Sequence, residues 1–126
     1  MVALMYVALG GAFGSMMRYV AMSLIGRATP GDFPWGTFVV NISGSFLMGV
    51  WIAVMATLLP AKAKDLHLLF AVGALGGFTT FSTFSLDIFF LFERGEIEQA
   101  ALYILGSVVL SMLALVAGMW LIKLAA

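Results

Sequence analysis

Four stretches of this chain are apolar for about the 20 residues that a helix needs to cross a bilayer, and short polar or turn-rich connections separate them. The first runs from Val2 to Ile25 and the second from Trp35 to Leu59, where Pro60 ends it. The third runs from Leu66 to Phe92 and the fourth from Ile97 to Leu124. Each is too long for a buried strand and lacks the strict alternation of a half-buried one, so the pattern predicts four spanning helices. Between them lie a Gly- and Pro-containing loop from Gly26 to Pro34, a brief basic loop from Pro60 to Asp65, and a polar turn from Glu93 to Glu96. The pattern leaves no room for a second domain: residues 1–126 read as one all-α integral membrane domain. The opening residues, Met1 to Leu9, carry no basic cluster before the apolar run. They read as the start of the first span rather than as a cleaved leader.

The third stretch departs from the others. Its centre reads Gly76-Gly77-Phe78-Thr79-Thr80-Phe81-Ser82-Thr83-Phe84-Ser85, a poor surface for lipid. Glycine costs a helix about 1 kcal/mol relative to alanine, so the glycine pair predicts a break between Gly76 and Thr79. Broken backbone inside a membrane persists only where protein or water satisfies its amides and carbonyls. The break therefore marks a site.

Composition agrees with the pattern. The chain is 63% hydrophobic and 10% charged, against about half and a quarter in soluble domains. It has no cysteine, which excludes disulfides and thiolate metal sites. Its net charge is zero, which argues against a nucleic-acid partner. Orientation in the membrane normally follows an excess of Lys and Arg on the cytoplasmic side. With four spans, Lys62, Lys64 and Lys123 fall on one side and Arg27 and Arg94 on the other, with Arg18 nearby inside the first helix. A bias this small fits either insertion in both orientations or a single orientation set by a weak preference. Gly10 with Gly14, and Gly11 with Ser15, repeat the small-xxx-small spacing of close helix contacts, within the chain or between two copies. A chain this short points to a homo-oligomer.

Polar groups at membrane depth are expensive and few, so each is a functional candidate. Arg18 is either a charge attracting anions in a vestibule or a snorkelling or paired side chain. Asp87 either lines a vestibule or pairs with a base such as Arg18. Thr37, Asn41 and Ser45 share one face of the second helix, and Tyr103, Ser107 and Ser111 one face of the fourth, each at four-residue spacing. Such stripes serve either as interhelical hydrogen bonds or as the lining of a path. Phe81 and Phe84 lie three apart and project at similar angles, in packing or on that path. Asn41, Ser82, Ser85, Tyr103, Ser107, Ser111 and the threonines offer many donors, whereas carboxylates are nearly absent. That balance suits an anion better than a cation. Aromatic rings, positive at their edges, add to it. Carbonyls released at the break would suit a cation such as Na⁺. There is no catalytic triad, phosphate loop or transition-metal cluster, and an enzyme reading has no support.

The run Gly76 to Ser85, together with Trp35-Gly36-Thr37-Phe38-Val39-Val40-Asn41, Gly14-Ser15-Met16-Met17-Arg18 and the Tyr103, Ser107, Ser111 stripe, closely resembles the Fluc/CrcB fluoride channels. The resemblance covers essentially the whole chain. It implies a passive, selective channel that exports cytoplasmic fluoride across the inner plasma membrane, built as an antiparallel, dual-topology homodimer with two pores. It further implies that Asn41 donates to fluoride, that Phe81 and Phe84 offer ring edges, and that Ser82, Tyr103, Ser107, Ser111 and Arg18 belong to the pathway. The backbone carbonyls of Gly76 and Thr79 would hold a structural sodium ion on the dimer axis. Asp87 stands where a glutamate is usual in that family. The alternative, a small proton-coupled multidrug exporter with the same span count, requires a carboxylate in its first helix, where this chain has Arg18. A purely structural subunit would not need Asn41, Phe81 and Phe84 on pore-facing surfaces.

Overall fold

The computed structural model describes residues 1–57 and 63–125. Two long helices come first, α1 (Val2–Ala28) and α2 (Trp35–Thr57). The third span is composite. A short α3 (Ala63–His67) leads into a π-helical segment (Leu68–Leu75), then one helical turn, α4 (Gly76–Phe78). After two extended residues the chain resumes as α5 (Phe81–Glu93), and α6 (Ile97–Ala125) completes the fold. Four helical segments are long and apolar enough to cross a membrane, and no strand occurs among the described residues. The protein is a multi-pass membrane protein. The expected end of the second span at Pro60 and the Lys62 charge lie outside the described residues.

All four spans are helical because a bilayer offers the backbone no hydrogen bonds, and a helix satisfies its own. Helix pairing then depends on close packing rather than on escape from water. α2 lies along α6, and α1 lies along the π-helical segment and α4. At each seam a glycine lets backbone meet backbone. A Cβ added to Gly14 would strike the carbonyl of Ala74, and one on Gly49 would strike that of Leu115. The small residues of α1 are used inside the chain: Gly10 abuts Leu69 and Gly73, while Gly11 and Ser15 face Gly77.

That packing moves the break. Gly76 and Gly77 stay helical, and the interruption falls at the downstream edge of the expected stretch, at Thr79 (φ −76°, ψ 158°) and Thr80 (φ −150°, ψ 119°). A Cβ on Gly77 would come within 2.6 Å of the Gly11 carbonyl oxygen. Here glycine serves helix approach, and its flexibility is not what breaks the helix. α5 ends conventionally: Gly95 (φ 75°) takes the left-handed position. The Gly95 and Glu96 amides donate back to Phe92 and Leu91, closing the helix with a Schellman pair. The expected polar turn is this structure.

Candidate functional site

The break is held open by one side chain. Asn41, in mid-α2, donates from Nδ2 to the Thr80 carbonyl at 3.0 Å and accepts from the Thr80 amide at 2.8 Å. In a continuous helix that amide would donate to Gly76 four residues back. Its diversion to Asn41 releases the Gly76 carbonyl. The helix then restarts because Thr80 caps it: its hydroxyl accepts from the Thr83 amide at 3.2 Å, satisfying one of the amides that every helix start leaves open, and donates to the Thr83 hydroxyl at 3.0 Å. On the other side of the break, Arg18 Nη1 donates to the Thr79 carbonyl at 3.1 Å, a cation on a helix C-terminus. Sequence reasoning singled out Asn41 but not its backbone partner Thr80. The available signal was Thr80 itself, a residue type favoured at helix N-caps and placed just before the resumed span.

A pocket of about 290 Å³ opens beside the break. Asn41 and Ser45 of α2 line it, with Thr79, Thr80, Phe81 and Phe84 around the start of α5 and Ser107, Val108 and Ser111 from α6. Five of the expected pathway residues thus converge: Asn41, Phe81, Phe84, Ser107 and Ser111. The two phenyl rings sit 5.4 Å apart. Three features make the pocket hospitable to an anion. The N-terminus of the thirteen-residue α5 faces it, with the positive end of the helix dipole. Asn41 has two N–H donors, and the Thr80 carbonyl takes one. Ser107 Oγ is buried and has no hydrogen-bond partner among the described residues, although a buried hydroxyl normally finds one. The pocket also lacks a wall: Phe81 lines it yet is 78% exposed within one chain.

The remaining expected residues lie around it. Tyr103 is fully buried behind Phe84, with ring centroids 5.1 Å apart, and its hydroxyl donates to Asp87 at 3.0 Å. Asp87 and Arg18 therefore serve different partners rather than each other. Ser82 is outside the lining, on the exposed face of α5, where its hydroxyl is 3.3 Å from that of Thr80. Ser45, Thr79, Thr80 and Val108 complete the lining; Ser45 follows from its four-residue spacing with Asn41, whereas no spacing or motif pointed to Val108.

Do the residues at the break fit a sodium ion? The Gly76 carbonyl has lost its helical partner, and Gly76 itself is exposed, with Ala71 O, at 3.6 Å, the nearest atom to an added Cβ beyond its own stretch of helix. The Thr79 carbonyl accepts from Arg18 but retains a second lone pair. Both oxygens are hard donors of the kind Na⁺ takes. The donor chemistry fits.

Fold and site together define a small helical membrane protein with a broken third span beside a donor-lined pocket. The family model "CrcB-like protein, Camphor Resistance (CrcB)" matches residues 5–119. A protein from Chelativorans sp. (strain BNC1) is 48% identical over 120 residues, covering 95% of each chain. One from Nitrobacter winogradskyi is 47% identical over 119 residues, covering 93% of this chain and 92% of its own. One from Paracoccus denitrificans is 52% identical over 113 residues, covering 90% and 88%. All three are named fluoride-specific ion channel FluC. The chain belongs to the CrcB family.

Proposed function

We propose that this protein is a passive fluoride channel and that fluoride passes through the pocket beside the helix break. The observation that carries the reading is the buried Ser107 hydroxyl, without a partner among the described residues, which shares one pocket with the Asn41 amide, the Phe81 and Phe84 rings and the start of α5. Fluoride is small and strongly hydrated. Leaving water requires short O–H, N–H and ring-edge contacts in its place, and these are the groups gathered here. The names of the relatives support the same ion. The exporter reading lacks its central requirement, since α1 holds no Asp or Glu.

In this proposal the working unit is an antiparallel homodimer with two pores, inserted in both orientations in the inner plasma membrane. The near-equal Lys and Arg count on the two sides supports dual insertion. The exposure of Phe81 and the open face of Gly76 support a second chain at the missing wall. A sodium ion on the dimer axis, held by the Gly76 and Thr79 carbonyls of each chain, would neutralise carbonyl dipoles and tie the two breaks together.

Fluoride efflux from liposomes containing the purified protein, with chloride as control, tests the function. Fluoride efflux without chloride efflux is the expected result, and no fluoride flux, or equal flux of both ions, overturns the reading. Single-cysteine variants labelled from each side test the topology, which strictly one-sided labelling rules out. Replacing Na⁺ by a large organic cation tests the ion: conduction or dimer stability falls, and complete insensitivity removes sodium from the proposal.

A further inference from the structure

The pocket is the inner end of a longer row of rings. From Phe81 the row passes to Phe84 at 5.4 Å, to Tyr103 at 5.1 Å and to Phe33 at 5.6 Å. The first three rings belong to α5 and α6. Phe33 belongs to no helix: it stands in the connection between α1 and α2, half-buried. We infer that Phe33 is a positioning residue for the ion pathway, holding the Tyr103 ring so that its hydroxyl stays on Asp87 and its face stays behind Phe84. The inference rests on the fluoride-channel reading for its functional part alone.

Tyr103 is fully buried, so its neighbours set its ring orientation. Phe38 lies at 6.2 Å and Phe84 at 5.1 Å, both tilted, whereas Phe33 meets the ring edge-on at 84°. An edge-to-face contact is directional in a way that aliphatic packing is not. Phe33 is itself fixed from three sides. Trp35 lies at 4.6 Å and Phe38 at 5.4 Å, and Phe33 O accepts from the Trp35 amide at 2.8 Å. Across the gap, Arg94 Nη2 donates to the carbonyl of the neighbouring Asp32 at 3.2 Å while its Nε meets Glu96 at 3.2 Å. The turn between α5 and α6 thus clamps the loop that carries Phe33. A smaller side chain at this position would leave a gap on the loop side of Tyr103. Water entering there would compete for Asp87, and Phe84 would lose the ring behind it.

The test uses the full chain in liposomes and two readouts. Phe33→Leu keeps an apolar side chain and removes the ring, Phe33→Trp keeps a ring, and Phe33→Ala is the stronger truncation. Fluoride efflux is expected to fall about threefold to tenfold in Phe33→Leu and to recover in Phe33→Trp. Adding Phe33→Leu to Tyr103→Phe is expected to lower efflux by less than it does in the wild type, because one of its two routes, the hydroxyl on Asp87, is already gone while the ring behind Phe84 remains. The second readout needs no ion flux. The chain has three tyrosines, and with fluorinated tyrosine incorporated, the ¹⁹F resonance that disappears in Tyr103→Phe is that of Tyr103. It shifts in Phe33→Leu and stays near its original place in Phe33→Trp. An unmoved resonance overturns the inference whatever the flux. A moved resonance with undiminished flux, or equal losses in both Tyr103 backgrounds, overturns the link to the pathway. A wild-type protein that passes no fluoride overturns the channel reading, while the tyrosine signal still decides whether Phe33 holds Tyr103. If Phe33→Ala does not fold, the leucine variant carries the test.

Discussion

Replacing Asn41 by alanine is expected to damage the protein twice, and the two effects can be measured apart. The side chain makes two hydrogen bonds, 3.0 and 2.8 Å long, to the carbonyl and amide of one residue, Thr80, which is buried. Alanine removes both partners at once. A buried backbone group left without a partner costs about 1–3 kcal/mol, so two cost about 2–6 kcal/mol. Water from the adjoining pocket can reach the break and offset part of this, which places the expectation at about 2–4 kcal/mol. The refolding alternative, in which the Thr80 amide returns to the Gly76 carbonyl and the helix becomes continuous, would also close the break. Unfolding in a mild-detergent and dodecyl sulfate titration reads the stability loss. Amide exchange at Thr80 reads its cause: slow in the wild type and fast in the variant if the amide is orphaned, slow in both if the helix has healed. Fluoride efflux is lost either way. Asn41→Asp separates acceptor from donor, since a carboxylate still takes the Thr80 amide but offers nothing to its carbonyl. Stability within about 0.5 kcal/mol of wild type, with unchanged efflux, would refute the role given to Asn41.

Other expectations follow from the same geometry. Ser107→Ala removes a buried hydroxyl that has no partner among the described residues. Its unfolding free energy is expected to stay level or rise by about 1 kcal/mol while fluoride efflux falls, and a matched loss of both would mean the hydroxyl is structural. Phe81→Ala should leave the isolated chain nearly as stable as before, since the ring is 78% exposed. Its efflux should fall about tenfold, the equivalent of about 1.4 kcal/mol of ring contact, and wild-type flux would remove the ring from the pathway. Gly14→Ala drives a Cβ into the Ala74 carbonyl and is expected to cost about 3 kcal/mol or more. Gly26→Ala, with nothing within 4 Å of the new Cβ, should stabilise α1 by about 1 kcal/mol. Equal outcomes in a thermal melt for the two glycines would contradict the packing of α1 on the third span.

The spans were legible because a bilayer imposes one dominant requirement, and the apolar runs met it. Val2, Trp35 and Ile97 begin their helices where the apolar pattern begins. The exact break was not legible, and the reason is specific. Glycine has two uses in a membrane helix, flexibility and close approach, and composition cannot separate them. Gly76 and Gly77 looked like the weak point, yet Gly77 is committed to the backbone of Gly11, which holds it in the helix. What opens the chain is a bond from a residue 39 positions away, Asn41 to Thr80, and a contact that distant leaves no local signature. The same limit applies to the charged pair. Arg18 and Asp87 were natural partners by sign, but Arg18 donates to the Thr79 carbonyl at the break, and the Tyr103 hydroxyl reaches Asp87. Periodicity fares better where a whole face is used: Asn41 with Ser45, and Ser107 with Ser111, do meet in one pocket. The break thus gives one segment two opposite electrostatic ends. Carbonyls at the end of α4 suit positive charge, which Arg18 already supplies, and amides at the start of α5 suit negative charge. A continuous helix would cancel both within its own hydrogen bonds, and Asn41, by holding the amide and carbonyl of Thr80, is the side chain that keeps them apart.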